Sequence, residues 1–419
     1  MTYIPVALLL QLLAPQQADS DWQRAEIRWS MPRVVAEFEP QAAVLIAWAH
    51  GDEDLQLVQA DIAGKLTQFV DVIIFAPHGE SAGVRSTLQA EHVGLTRVRI
   101  VEVNYDTLWI RDYGPQVLVK SGRPWLLDFH YADDRSEDDA VPDMLGSLTR
   151  TPVQRVNLTI DGGNFLTNGQ GVIISTQSVY HANADHWRSV EAAEQVLASQ
   201  LSAREVVLLE QLVGEPTGHV DMFATFTDAR TVVVAQLDHR LDPENAAILD
   251  RNASRLSQVR TASGHLRVLR VPMPPPADDV WYSYTNVLYA NGTLLLPRYN
   301  VPPRYDHNAI AVFRHALPKW KIQRIDSDLL IDKAGAVHCA TLNLPRVRGT
   351  TWEPLLKTNP ALINAHLMRA LDAPPATRVL PIPSVFLPAF VRDQQPANVP
   401  QPSVLGVNRF PISDDRPNY

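Results

Sequence analysis

Short apolar runs that recur along the first 345 residues predict β-strands. Val, Ile and Leu dominate these runs, and Gly, Pro, Asp or Asn bracket many of them, which is typical of strands between turns. The runs lie at 44–50, 72–78, 98–104, 117–120, 125–131, 171–177, 231–237, 266–272 and 293–299. The pattern therefore predicts a chain built largely from short strands.

Three segments between the strands have the periodicity of amphipathic helices. Apolar residues recur at three- and four-residue steps in 53–70 and in 185–201, where Asp185 is a candidate N-cap. A third helical segment, 240–260, follows a DPEN start. Alternation of strands and helices is typical of α/β architecture, so we expect an α/β fold.

A polar turn motif precedes an apolar strand at several places along the chain. RDYGP precedes QVLVK, DGGN precedes GVIIST, GHVD precedes TVVVA, and SYTN precedes TLLLP. We interpret this as a weak structural repeat that places polar residues at corresponding strand ends. The chain is Pro-rich from about residue 372, and we expect an extended or partly disordered appendage there instead of a second catalytic domain.

Charge and the N-terminal sequence narrow the class of protein. The net charge of −9 gives no basic footprint for nucleic acid and would attract cationic substrates. The apolar run 4–14 has the length of a signal-peptide core and is too short to span a membrane, although no Lys or Arg precedes it. We expect residues 1–20 to be a signal peptide and the protein to be secreted or periplasmic, with a cytoplasmic location as the alternative.

Cys339 is the single cysteine of the chain. It excludes an intramolecular disulfide framework and any multi-cysteine metal site. Taken alone, a buried cysteine is usually an inert small apolar residue. The apolar stretch 335–345 suggests a strand, on which the adjacent His338 would point to the opposite face from Cys339. His219 is therefore the better candidate base.

Several polar residues are candidates for acid–base chemistry. Asp112 follows Arg111 at a predicted strand end before a Gly-Pro turn, and Asn286 offers both a donor and an acceptor. His219 and Asp221, two residues apart, would share one face of a strand. Taken singly, each also fits a purely structural role. A two-ligand metal pair is an alternative for the last two, but a third ligand is lacking, so no metal is predicted.

Five segments of the chain resemble, in order, the successive active-site motifs of the guanidine-modifying superfamily. They are WIRDYGP, DGGN, GHVD, SYTN and HCATLNLP. The resemblance is strongest to the family that holds agmatine deiminases and Porphyromonas-type peptidylarginine deiminases, and it covers about residues 31–347. It implies a five-bladed α/β propeller with pseudo-fivefold symmetry (the pentein fold). This would be a single catalytic domain with a Pro-rich extension over 348–419.

The resemblance also implies a role for each candidate residue. Cys339 matches the nucleophile, His219 the catalytic acid and base, and Asp112 and Asp221 the carboxylates that hold the guanidinium. The implied substrate contacts are Trp109, Asn164, Asn286 and Arg135. Neither a metal nor an organic cofactor is implied. The expected partner is a guanidinium-bearing substrate, and homo-oligomerisation is left open.

The resemblance implies a hydrolase that converts a guanidinium to a ureido group and ammonia through a Cys-thiouronium intermediate. We expect peptidylarginine as the substrate, because loop 128–142 resembles that type and Arg135 matches one of its two carboxylate-binding arginines. Asp133 stands at the other position. The alternative is an agmatine deiminase that yields N-carbamoylputrescine. An amidinotransferase and a non-catalytic binding protein are more remote.

Overall fold

The apolar runs form strands, and each predicted run matches one to within a few residues. The computed structural model describes residues 31–131, 134–347, 352, 355–356 and 378–380. Its strands are β1 (Arg33–Val34), β2 (Gln41–Ala47), β3 (Asp71–Ala76), β4 (Val98–Glu102), β5 (Gln116–Lys120), β6 (Arg123–His130), β7 (Val153–Thr159), β8 (Leu166–Thr167), β9 (Val172–Thr176), β10 (Glu205–Leu209), β11 (Ala224–Phe226), β12 (Thr231–Gln236), β13 (Arg260–Thr261), β14 (Gly264–His265), β15 (Arg267–Pro272), β16 (Leu288–Ala290), β17 (Thr293–Arg298), β18 (Lys321–Asp326), β19 (Leu342–Pro345) and β20 (Arg378–Leu380).

The helices lie between these strands. They are α1 (Glu53–Leu66), α2 (Ser81–Ala90), α3 (Ile110–Tyr113), α4 (Ser136–Asp139), α5 (Val141–Thr149), α6 (Ser178–Ala182), α7 (Val190–Gln200), α8 (Pro243–Gln258), α9 (Arg304–Ala316) and α10 (Asp328–Ile331). Together with the strands they give the α/β architecture that the sequence predicts. Short 3-10 turns at Gly162–Asn164 and Val220–Met222 complete the regions that form the site.

Local capping explains where the three predicted helices begin. The Asp52 side chain accepts a hydrogen bond from the amide of Leu55 and caps α1, and Asp242 caps α8 in the same way. Helix α7 begins five residues later than predicted, because Ser189 is its N-cap and Asp185 lies in a separate 3-10 turn.

A three-stranded unit occurs five times in the described chain. Each unit joins a short strand antiparallel to a longer one, which then pairs in parallel with a third strand. One or two helices connect the parallel strands, because a parallel pair needs a crossover. The units are β19–β2–β3 (unit 1), β5–β6–β7 (unit 2), β8–β9–β10 (unit 3), β11–β12–β15 (unit 4) and β16–β17–β18 (unit 5).

Each polar motif lies directly before the first strand of one unit. WIRDYGP precedes β5, DGGN precedes β8, GHVD precedes β11, SYTN precedes β16, and HCAT precedes β19. The repeat that the sequence suggests is present, but in units 3, 4 and 5 a short strand that the sequence did not predict lies between the motif and the apolar strand. It brings five short polar segments to equivalent places in the five units.

The apolar core joins neighbouring units. One cluster contains residues of units 1 and 2, another residues of units 2 and 3, a third residues of units 3, 4 and 5, and a fourth residues of units 5 and 1. Central strands are buried on both faces, as in β3, where Val72 to Ala76 are all buried. This explains their continuous apolar sequences.

The folded body extends beyond residue 347, where the sequence suggests that the catalytic domain ends. Trp352 and Leu355 are buried in the cluster shared by units 1 and 2. The predicted signal peptide, 1–20, and most of the Pro-rich extension lie outside the described residues. In the part that the structure does describe, none of the helices is long and apolar enough to cross a membrane.

Candidate active site

Cys339 lies in a tight turn just before β19 and not on a strand as the sequence suggests. Its side chain is 3% exposed. The backbone amide of Arg111 donates to the Cys339 carbonyl oxygen at 3.2 Å, so this turn is tied to the WIRDYGP segment. The single thiol of the chain is therefore held at the end of a strand among the polar motifs.

Asn286 clamps the cysteine turn. Its Oδ1 atom accepts from the backbone amides of His338 at 2.9 Å and Cys339 at 3.3 Å. Its Nδ2 atom donates to Cys339 Sγ and to Asp221 Oδ2, at 3.0 Å in both cases. The side chain is fully buried. In the structure Asn286 thus contacts the nucleophile and a carboxylate; its contact with substrate stays a prediction.

The two carboxylate oxygen atoms of Asp221 differ in their hydrogen bonds. Oδ2 accepts from Asn286, from His338 Nδ1 at 2.8 Å and from the Cys339 thiol at 3.4 Å. Oδ1 is buried and has no hydrogen-bond partner. A buried carboxylate oxygen without a partner is costly, and it is the kind of group that a bound donor would satisfy.

Gly163 marks the point where the acidic and basic side chains converge. A Cβ atom on this glycine would lie 2.6 Å from Asp112 Oδ1, 2.8 Å from His219 Nδ1 and 3.1 Å from Asp221 Oδ2. The Gly163 amide also donates to Asp112 Oδ1 at 3.1 Å. The second glycine of DGGN is therefore required by close approach and not by a positive φ angle.

His219 is oriented by a carboxylate that sequence analysis did not single out. Its Nε2 atom is 2.9 Å from Asp161 Oδ2, and its Nδ1 atom is 3.7 Å from Asp112 Oδ1. The residue stands just before the Val220–Met222 turn instead of on a strand. Glu215 holds the preceding segment, because its carboxylate accepts from the amides of Thr217 and Gly218.

Burial and crowding of carboxylates change the acidity of this cluster. Burial, supported by the charges of Asp161 and Asp221, raises the pKa of Asp112 to about 7, although His219 acts in the opposite direction. Burial disfavours the imidazolium of His219, but the Asp112 and Asp161 carboxylates outweigh it and raise its pKa to about 10. His219 is therefore a cation at neutral pH.

The thiol of Cys339 is protonated in the free site. Burial raises its pKa well above the ordinary value, and the neighbouring carboxylates of Asp221 and Asp112 raise it further. A cation between these carboxylates would reverse part of that effect. Bound positive charge would therefore favour the thiolate.

His338 lies in the site, which corrects the expectation that it points away from it. Because the cysteine segment is a turn, the His338 ring reaches Asp221 Oδ2 with Nδ1. Its Nε2 atom contacts Glu37 Oε1 at 2.8 Å. Arg111 is buried and pairs with the same Glu37 oxygen at 2.9 Å, so it does not form a surface pair with Asp112.

Two other predicted substrate contacts, Trp109 and Arg135, are half-buried. The Trp109 ring packs so tightly on Gly335 that a Cβ there would be 2.4 Å from it and 3.0 Å from Cys339 Cβ, so Trp109 borders the thiol. Arg135 donates to the Tyr131 hydroxyl at 3.0 Å and lies over the Tyr131 ring.

The Asn164 side chain is hydrogen-bonded to other residues of the protein. Its amide donates to Thr176 and Ser178, and its Oδ1 atom accepts from the amides of Thr176 and Val220. These bonds fix the DGGN turn against the GHVD turn, which positions His219 and Asp221. A contact between Asn164 and substrate stays a prediction.

Asp161 and Glu37 are the members of the site that sequence reasoning missed. Asp161 begins the DGGN motif, so the motif itself could have revealed it. Glu37 gives no local signal, because it lies 301 residues before its partner His338. Among the described residues, no group of three or more His, Cys, Asp or Glu side chains is arranged to hold a metal ion.

The site thus combines a thiol with two carboxylates and a histidine cation. Residues 33–345 match the family model of the Porphyromonas-type peptidyl-arginine deiminases. The chain belongs to this family, whose members are hydrolases that act on the C–N bonds of a guanidino group.

Relatives and solved structures agree with this assignment. The agmatine deiminase of Pseudomonas putida is 25% identical, over 74% of this chain and 94% of its own. A Porphyromonas gingivalis structure provisionally called an arginine deiminase is 25% identical, with a TM-score of 0.66 over 75% of this chain and 98% of its own. The agmatine deiminase structure of Enterococcus faecalis, 22% identical, has a TM-score of 0.66 over 77% and 99%.

Proposed function

We propose that this protein hydrolyses the guanidinium of a small amine of the agmatine type to a ureido group and ammonia. The observation that carries the proposal is the buried, unpartnered Oδ1 atom of Asp221 beside the Cys339 thiol. The names of the curated relatives favour agmatine over the peptidylarginine that the sequence favours.

The charge of the inner site supports a cationic substrate. Its described residues include four carboxylates, and three basic side chains face them. At least one carboxylate therefore lacks a counter-charge. A guanidinium supplies that charge together with a planar fork of N–H donors that suits carboxylates. The carboxylates are Glu37, Asp112, Asp161 and Asp221, and the basic side chains are Arg111, His219 and His338.

The first half of the reaction follows from this arrangement. The guanidinium lies between Asp112 and Asp221, and its charge favours loss of the Cys339 thiol proton to water. The thiolate attacks the central carbon to give a tetrahedral adduct. His219, a cation at neutral pH, gives its proton to the departing ammonia. A covalent thiouronium remains on sulfur.

The second half uses the histidine in the opposite sense. His219, now neutral, takes a proton from water as the water attacks the thiouronium carbon. The carbon–sulfur bond then breaks, the hydroxyl proton of the adduct passes to the departing sulfur and restores the Cys339 thiol, and the ureido product forms. The sequence of steps needs only the side chains of the site and the substrate.

Arginine with a free carboxylate is the second candidate substrate. Arg135 supports it, because this half-buried cation contacts Tyr131, whose pKa is raised by burial and by the charge of Asp112. Tyr131 thus links Arg135 electrostatically to the site. A substrate carboxylate would bind to Arg135, whereas agmatine has an amine at that end.

A comparison of substrates tests the proposal. Ammonia and ureido product are measured with agmatine, free arginine, and peptides with internal or C-terminal arginine, for the wild type and for Cys339→Ala. We expect the highest kcat/KM with agmatine and no turnover by the variant. Normal turnover by Cys339→Ala would overturn the chemistry. A preference for arginine that Arg135→Ala abolishes would favour the second substrate.

We also propose that the five units surround the site as a five-bladed propeller. The repeated strand pairing and the clusters that join units 1 to 2, 2 to 3, 3 to 5, and 5 to 1 support this arrangement. A crystal structure in which units 1 and 5 do not pack together would contradict it.

Export stays a proposal that rests on the apolar run 4–14, and N-terminal sequencing of the mature protein tests it.

A further inference from the structure

A buried chain of polar side chains runs from the nucleophile to the loop between β1 and β2. The Cys339 thiol contacts Asp221 Oδ2 at 3.4 Å, and the same oxygen is 2.8 Å from His338 Nδ1. On the other side of the ring, His338 Nε2 is 2.8 and 2.9 Å from the two oxygens of Glu37. The mechanism above uses neither Glu37 nor His338.

Arg111 fixes the far end of this chain. Its Nη1 atom donates to Glu37 at 2.9 Å, and its Nη2 atom donates to Asn343 at 2.9 Å. Its Nε atom is directed at the His338 carbonyl oxygen at 3.4 Å. The Glu37 carboxylate is thus oriented by Arg111 and His338, which contact it at the same time.

We propose that Glu37 and His338 are positioning residues, which hold Asp221 so that its free Oδ1 atom meets the guanidinium. The idea rests on the proposed function, since it assigns Asp221 to substrate binding. The carboxylate of Asp221 can turn about its bond to Cβ. Three donors on Oδ2 prevent that rotation, and only the one from His338 is backed by a second carboxylate.

Glu37 also decides the charge of His338. Burial and Arg111 disfavour a protonated ring, but the Glu37 and Asp221 carboxylates outweigh them and raise the pKa of His338. The charged groups that face the ring are therefore Glu37, Asp221 and Arg111. His338 contacts Asp221 directly, so a protonated ring stabilises the Asp221 carboxylate, whose charge is one of those that raise the pKa of the Cys339 thiol.

The lone thiol allows a test that needs no turnover. Cys339 is the single cysteine, so the rate of iodoacetamide alkylation against pH reports its ionisation alone. In Glu37→Gln, His338 loses one of its two carboxylate partners, so its pKa falls and the ring offsets less of the negative charge of Asp221 beside the thiol. We expect alkylation at pH 8 to slow roughly tenfold, which corresponds to an upward displacement of the thiol titration by about one pH unit.

Activity should change in the same variant. We expect kcat/KM to fall roughly tenfold to a hundredfold, as for loss of a hydrogen bond between charged groups. His338→Asn keeps an N–H for Asp221 but has no charge and no link to Glu37. It should reproduce both effects, and the double variant should be no worse than either single one.

Glu39→Gln is the matched control. Glu39 lies two residues from Glu37 and pairs with Arg33 in the same loop, but it makes no contact with His338 in the structure described. It should leave the thiol titration and kcat/KM unchanged. The proposal is overturned if alkylation in Glu37→Gln is unchanged or faster, or if Glu39→Gln has the same effect. Because alkylation needs no substrate, it decides this even if deimination is not the reaction.

Discussion

At the scale of single residues, the site is a buried cluster in which carboxylates outnumber the basic side chains that face them. Among the described residues, the Gly163 amide donates to Asp112 and His219 Nδ1 lies 3.7 Å from it, and burial raises the pKa of Asp112 to about 7. Folding therefore puts a carboxylate where it is poorly stabilised. A bound cation would correct this, so substrate binding and release of a proton from Asp112 are coupled.

The pH dependence of activity should follow from these two groups. Asp112 must be ionised to hold the guanidinium, so kcat/KM should rise with pH up to about 7. His219 must carry a proton for the departing ammonia, so kcat/KM should fall above about 10. Steady-state kinetics with agmatine between pH 5 and pH 11 would measure both limbs.

Asp161→Asn is the internal check on that assignment. It removes the carboxylate that contacts His219 Nε2 at 2.9 Å, so the pKa of the imidazole falls and the upper limb should move to lower pH. The lower limb should not move upward, because a negative charge near Asp112 is lost as well. An upper limb that stays in place would show that another group is responsible for it.

The candidate catalytic residues were predictable from the sequence, but the buried side chains that hold them in place were not. The motif order predicts Cys339, His219, Asp112 and Asp221, and the structure brings these four side chains together. The motifs also contain His338, but assuming a strand placed it on the wrong face. Glu37 could not be found, because only folding brings it to His338 across 301 residues of sequence.

At the scale of elements, the site is made of turns that precede strands. Four of the five motifs are one-turn helices or tight turns, although the sequence suggests strands for Cys339, His219 and Asp221. Turns expose their side chains at one end of a rigid strand pair, which is where function is commonly located. The apolar runs predicted the strands well, because strands buried on both faces are continuously apolar.

Helix α9 and the short helices were harder to predict than the strands. Helix α9 has no side-chain N-cap and begins after two prolines, so its start gives little signal in the sequence. Helices α3, α4 and α10 have four residues each, which is too few for a periodic pattern. Their positions depend on tertiary contacts, as for α3, whose Arg111 amide is bonded to Cys339.

Gly163→Ala tests whether the DGGN turn shapes the site. The new Cβ would lie within 3.1 Å of three side chains, Asp112, His219 and Asp221, which must then move. We expect kcat/KM to fall by roughly a hundredfold, because displacements of about 1 Å cost that much. Urea unfolding should change little, since the displaced atoms are side-chain ends.

Gly83→Ala is the control for this substitution. Gly83 lies in α2, and no atom is within 4 Å of its would-be Cβ. Activity should be unchanged, and the free energy of unfolding should rise by up to about 1 kcal/mol, as for Gly to Ala in a helix. Equal activity in Gly163→Ala and Gly83→Ala would show that the close approach at Gly163 is not needed.

At the scale of the whole molecule, the two ends of the folded body meet. Strand β19 near the C-terminal end pairs with β2 near the N-terminal end, and this completes unit 1. Cys339 stands directly before β19, so the nucleophile depends on this pairing. Trp352 follows β19 in the sequence and is buried in the core, where its indole N–H donates to the Pro345 carbonyl oxygen at 2.8 Å.

Trp352 should therefore contribute strongly to global stability, although it lies beyond the region that matches the family. Its side chain is 2% exposed, and Trp352→Ala should lower the free energy of unfolding by about 3–5 kcal/mol, because it leaves a large cavity. Trp352→Phe should lose about 1–3 kcal/mol, since it keeps most of the apolar volume but leaves the Pro345 oxygen without its donor. Leu329→Ala, at a position 44% exposed, should stay within about 0.5 kcal/mol of the wild type. Urea unfolding measures all three, and a wild-type midpoint for Trp352→Ala would show that the body ends at β19.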